Sequence, residues 1–162
     1  YYTKYMRYSL LLIAIFCCST QALAETTLPD FSLYDPMDEQ LIKTSSYWGQ
    51  PTLLVFFSIS EDERQLNIEQ INTIQQRYSS TNLAITAIAL DSDEKSTFRF
   101  IAKNRPNFRV LMPYKTIKIE PGETRLPLFL LLDSQLQIVK KTAGEATKGL
   151  IRAIEKETGF TR

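Results

Sequence analysis

Three stretches of this chain are apolar almost without interruption: residues 52–57 (TLLVFF), 83–90 (LAITAIAL) and 126–133 (LPLFLLLD). Runs of that length, rich in β-formers, predict strands buried on both faces, as in a sheet covered on two sides. Between the first two, Ile68, Ile71, Ile74 and Tyr78 recur at three- and four-residue steps. That spacing predicts a helix from about Glu61 to Tyr78 with one apolar face. A second helix is predicted over 95–103, with Phe98, Ile101 and Ala102 inward and Ser92 or Asp93 as its cap. A closing helix is predicted over 146–158, with Leu150, Ile151 and Ile154 inward.

The remaining segments are less regular. Residues 30–35 (DFSLYD) alternate and read as a strand, followed by a turn at Pro36. Residues 41–51 hold an apolar pair, then a short helical or loop segment that closes at Gly49, with Tyr47 and Trp48 as packing residues. Residues 108–113 are short and extended. Residues 114–124 (YKTIKIEPGET) are polar and read as a surface loop or hairpin. Residues 137–144 alternate as an edge strand after a turn at 134–136. Strand–helix–strand alternation that ends in a hairpin and a helix implies an α/β fold: a three-layer α/β/α sandwich around a mixed central sheet.

The first two dozen residues carry a different pattern. Lys4 and Arg7 precede an apolar run, SLLLIAIFCC, and then QALA at 21–24. This is the layout of a secretory signal peptide cleaved after Ala24, with Met6 as the start. The run is short for a bilayer span, so an uncleaved anchor is the weaker reading. A lipoprotein site at Cys17 would need a small residue where Phe16 stands. The expected division is therefore a signal peptide at 1–24 and one domain at 25–162, in a secreted, periplasmic protein.

Removal of that segment changes the chemistry available. Cys17 and Cys18 are the two cysteines of the sequence, so residues 25–162 have none. Without Lys4 and Arg7 the formal charge of +1 becomes −1, which gives no electrostatic case for nucleic acid. Histidine is absent, so Ser–His–Asp and Cys–His catalytic sets cannot form. Glycine is sparse, and no phosphate-cradling loop occurs. No cofactor and no metal are expected.

Several segments together resemble the thioredoxin-like superfamily, in its secreted TlpA-like and AhpC/TSA-like redoxin branch. LPDFSLYD at 28–35 resembles that branch's opening strand, P-x-F-x-L-x-D. WGQPTLLVFFSIS at 48–60 resembles G-K-x-V-L-V-N-F-W-A-x-W. The stretch from Leu126, LPLFLLLDSQLQIVKKTAGEATKGLIRAIE, resembles P-x-T-F-L-I-D-x-x-G-x-I and the last helix. The resemblance implies a cis-proline at Pro127 and an extended peptide bound through the backbone of Leu126. It also implies a W-C-x-x-C motif, and there the chain departs: Ser60, Glu61, Asp62, Glu63 and Arg64 occupy those positions. Leu128 stands where threonine is frequent, and the peroxiredoxin pattern P-x-x-x-T-x-x-C is not met by Pro51 and Thr52.

Thiol–disulfide exchange needs a thiolate that attacks sulfur, and no carboxylate or guanidinium replaces it. Ser60 with Glu63 makes an S-x-x-E capping box, and Glu61 and Asp62 suit a first helical turn. Three consecutive acids on a helix point apart, so they do not converge on one ion. The catalytic set is therefore expected to be empty, with Glu61 and Arg64 at the motif-equivalent positions. The expected binding set is Ser58, Ser60, Glu61, Asp62, Glu63, Arg64, Leu126 and Pro127. The expected function is a redox-inactive binding or assembly module of the cell envelope, whose partner is an envelope protein or an extended peptide. The alternatives are an enzyme with a non-thiol acid site at Glu61 to Arg64, and a structural subunit of a larger assembly complex.

Overall fold

The computed structural model describes residues 27–59, 66–90, 93–115 and 125–160. Seven strands form one mixed sheet in the order β2-β1-β5-β4-β3-β6-β7. They are β1 (Ser32–Asp35), β2 (Gln40–Lys43), β3 (Thr52–Phe57), β4 (Ala84–Ala89), β5 (Arg109–Pro113), β6 (Leu128–Leu132) and β7 (Ile138–Ala143). Three helices follow β3, β4 and β7: α1 (Ile68–Arg77), α2 (Glu94–Asn104) and α3 (Lys148–Thr158).

The three apolar runs become β3, β4 and β6, the adjacent strands at the middle of the sheet. Every residue of β3 and of β6 is buried. β3 and β4 are parallel, joined by α1, and β4 and β5 are parallel, joined by α2. β6 runs antiparallel to β3, and β7 is the antiparallel edge beyond it. The other edge is antiparallel too, through β1 and β2. That second edge departs from the expected order: residues 40–43 form a strand, and 109–113 join the sheet as β5.

Alternation across the pleat sends successive side chains to opposite faces. Leu53, Val55, Phe57, Ile85, Ala87, Phe129 and Leu131 face a core shared with Ile71, Ile74 and Tyr78 of α1 and with Leu150 and Ile154 of α3. Phe100 and Ile101 of α2 pack on the same core, and the Phe100 ring lies 5.1 Å from that of Phe57. Arg77 of α1 pairs with Glu155 of α3 across the helix layer. All three α-helices therefore cover one face. α2 turns differently from expectation: Thr97 is buried, while Phe98 is half exposed and Ala102 exposed.

Leu54, Phe56, Ile88, Leu111, Leu128, Leu130 and Leu132 face the other way. Among the described residues this face is closed by an extended lead and a short 3-10 helix (Thr44–Tyr47), not by an α-helix. Leu28, Phe31 and Tyr47 supply the apolar cover. Polar bonds pin it. Asp30 accepts hydrogen bonds from Ser45 N–H and the Thr44 hydroxyl, and the Leu28 N–H donates to the Leu136 carbonyl. Inside the cover the hydroxyls of Tyr47 and Thr86 meet at 2.8 Å. Trp48, expected to pack, is 64% exposed.

Candidate functional site

The sheet's topology decides where chemistry could concentrate. β3 ends at Phe57, β4 runs parallel to it and ends at Ala89, and β6 begins at Leu128 opposite Phe56. The C-terminal ends of two parallel strands thus lie beside the N-terminal end of an antiparallel one. Carried on by two residues, the β3–β6 register sets Pro127 against Phe57 and Leu126 against Ser58. The expected partners Ser58, Leu126 and Pro127, far apart in sequence, are brought to one corner of the sheet.

The Leu126–Pro127 peptide bond is cis. The Pro127 carbonyl accepts a 2.7 Å hydrogen bond from Gly144 N–H, which ties the corner to the end of β7. Ser58 and Pro127 are buried, Leu126 is half-buried, and Arg125 just before it is exposed. Among the described residues no hydrogen bond engages the backbone of Leu126. The corner thus offers a half-buried apolar side chain and, among the described residues, a backbone without hydrogen bonds just before β6.

The other expected members, Ser60, Glu61, Asp62, Glu63 and Arg64, lie outside the described residues. The helix that was to begin with them starts later. Leu66 and Asn67 are not helical, and Asn67 is the N-cap of α1, its side-chain carbonyl accepting from Gln70 N–H at 3.0 Å. The Ser60–Glu63 pair is therefore not the cap of α1. Asn67 followed by Gln70 is a cap signal of its own, the one that marks this start in the sequence.

α2 starts at the same end of the sheet, after β4. Asp93 caps it, and its carboxylate accepts from Ser96 N–H at 2.7 Å. That backbone bond holds the Asp93 carboxyl below the usual 3.8. This acid is committed to helix capping. No cluster of three or more metal-ligating side chains occurs among the described residues, and none of their helices is long and apolar enough to cross a membrane.

Arg125 is the polar exception in the apolar sequence around Pro127. Its guanidinium lies against Gly144, which has φ of +90°. No local pattern marks the pair, because the two residues meet only through the β6–β7 pairing.

The architecture is a thioredoxin-like α/β fold. No family model matches the sequence, and no curated protein does so either. Solved structures do match in fold. The chain is similar to the thioredoxin domain of a thiol-disulfide oxidoreductase from Bacteroides vulgatus, at 14% identity and a TM-score of 0.66, covering 83% of this chain and 96% of that one. It is similar to a thiol-disulfide oxidoreductase from Bacteroides fragilis, at 20% identity and 0.66, covering 80% and 99%. A thiol:disulfide interchange protein of the thioredoxin family from Chlorobium tepidum matches at 17% identity and 0.63, covering 83% and 96%. At these identities the likeness establishes the fold.

Proposed function

We propose that this chain is an exported thioredoxin-fold protein that binds an extended segment of another envelope protein and performs no thiol–disulfide exchange. One observation carries the reading. Ser58, Leu126 and Pro127 share the sheet corner beside which the resemblance implies a reactive pair, yet residues 19–162 contain no cysteine. Exchange proceeds by attack of a thiolate on a disulfide sulfur, so loss of sulfur removes the reaction and does not merely slow it. The binding half of the apparatus needs no sulfur. It needs backbone groups free to pair, and among the described residues Leu126, just before β6, makes no backbone hydrogen bond. Pairing of an extended peptide with such a backbone is a common mode of recognition. Export is supported by the basic, apolar and A-x-A pattern of residues 1–24.

The test is titration of ¹⁵N-labelled residues 25–162 with a panel of cysteine-free hexapeptides of high β-propensity. The expected result is saturable shift changes at the amides of Leu126, Leu128 and Ser58. Absence of saturable changes there with every peptide of the panel would refute the binding role.

A further inference from the structure

A Cβ added to Gly144 would stand 3.2 Å from Nη2 of Arg125 and 3.3 Å from both its Cζ and Nε. A point that far from three bonded atoms of a flat group, and almost equally far from each, lies over its face. The guanidinium is therefore stacked face-on against Gly144. Its N–H bonds lie in the plane and point sideways. Among the described residues no ion pair or hydrogen bond engages them. A Cβ at 144 would crowd the guanidinium, which would have to give by a few tenths of an ångström, so glycine suits the stack.

The position matters as much as the orientation. Gly144 N–H holds the Pro127 carbonyl, and Arg125 immediately precedes Leu126. Among the described residues, an exposed cationic fork with no ion pair is thus carried by the residue next to Leu126, whose backbone makes no hydrogen bond. A guanidinium recognises a carboxylate in its own plane, through two parallel N–H···O bonds. Stacking one face on glycine leaves that edge free and restricts the rotamers that binding would otherwise have to freeze.

We infer that the segment bound at the Leu126 corner carries a carboxylate, either an acidic side chain or a chain terminus, which Arg125 takes edge-on. This inference rests on the proposed binding role and adds the chemistry of the partner. It makes selection for acidic peptides a property of one residue, not of a general field, since residues 25–162 carry a net charge of only −1 once Lys4 and Arg7 are removed.

The probes are three hexapeptides of one cysteine-free sequence that binds in the titration above. One carries a central Glu and an amidated C-terminus, one a central Gln and a free C-terminal carboxylate, and the third, a central Gln with an amidated C-terminus, is the neutral match of both. The expected result is at least roughly tenfold tighter binding of one carboxylate peptide over its neutral match, a ratio typical of a charge-assisted bidentate pair. Which pair shows it tells side chain from terminus. Arg125→Gln should bring the ratio to about one, and Arg125→Lys should recover only part of it. Thermal unfolding checks that both variants fold. If peptides bind but wild-type protein ignores the carboxylate, or Arg125→Gln keeps the preference, the inference is overturned and the binding role survives. If no peptide binds at all, both fall.

Discussion

Tyr47→Phe tests how the non-helical layer is held. The Tyr47 hydroxyl meets that of Thr86 at 2.8 Å, in a place where Thr86 is only 1% exposed. Removing the phenol oxygen leaves the Thr86 hydroxyl buried without that partner. A buried polar group that loses its hydrogen bond costs about 1–3 kcal/mol. Tyr47→Phe should therefore lower stability by about that amount in urea unfolding, with little change in the slope. Thr86→Val on top should cost much less than on its own, because the orphaned group is gone, with a coupling of roughly 1 kcal/mol in the double-mutant cycle. Alkali offers a second readout. Burial raises the Tyr47 pKa above the ordinary 10.0, with the Thr86 bond opposing. The unfolded phenol ionises first, so this contribution is intact below pH 10 and is lost as pH climbs beyond it. The stability gap between wild type and Tyr47→Phe should narrow there. A cost below about 0.5 kcal/mol, or an additive cycle, would refute the claim that this bond anchors the cover.

Other substitutions probe the helix layer and the corner. Asn67→Ala removes the α1 cap and should cost about 1 kcal/mol in chemical unfolding, whereas an unchanged midpoint would place the helix start elsewhere. Ile154→Ala empties a fully buried site on α3 and should cost about 2–5 kcal/mol by the same assay. Gly144→Ala forces a side chain to φ of +90° and into the Arg125 stack, which should lower stability by about 1–3 kcal/mol. Asp93→Ala should lower the melting temperature at neutral pH. Because the Ser96 bond depresses the Asp93 pKa below 3.8, its contribution is present above that pH and lost beneath it. The difference between wild type and variant should close in acid, and a difference that persists would contradict the capping role.

The central strands were legible because β3, β4 and β6 are buried on both faces, and so spell unbroken apolar runs. β2 was missed because its four residues, QLIK, are mostly exposed and carry no alternation strong enough to mark a strand. The face of α2 was misjudged through Thr97. It is a polar letter in the sequence, yet it lies buried with its hydroxyl donating to the Asp93 carbonyl. Phe98 is apolar and points outward. The start of α1 was drawn too early because Ser60 and Glu63 imitate a cap, while Asn67 and Gln70, seven residues on, do the work. At the corner, Leu126 and Pro127 were found through resemblance. Arg125 stands out there as the polar exception, but its contact with Gly144 was not legible, since strand pairing alone brings the two together.

A reductase assay reaches the central claim most directly. The whole sequence and residues 25–162 would be compared for dithiothreitol-driven reduction of insulin, against a blank without protein. A scaffold that keeps the corner but has no cysteine thiol beyond position 18 should leave both samples at the blank rate. Protein-dependent turnover by either sample would contradict it, and loss of that turnover on Cys17→Ser with Cys18→Ser would trace the thiol to that pair.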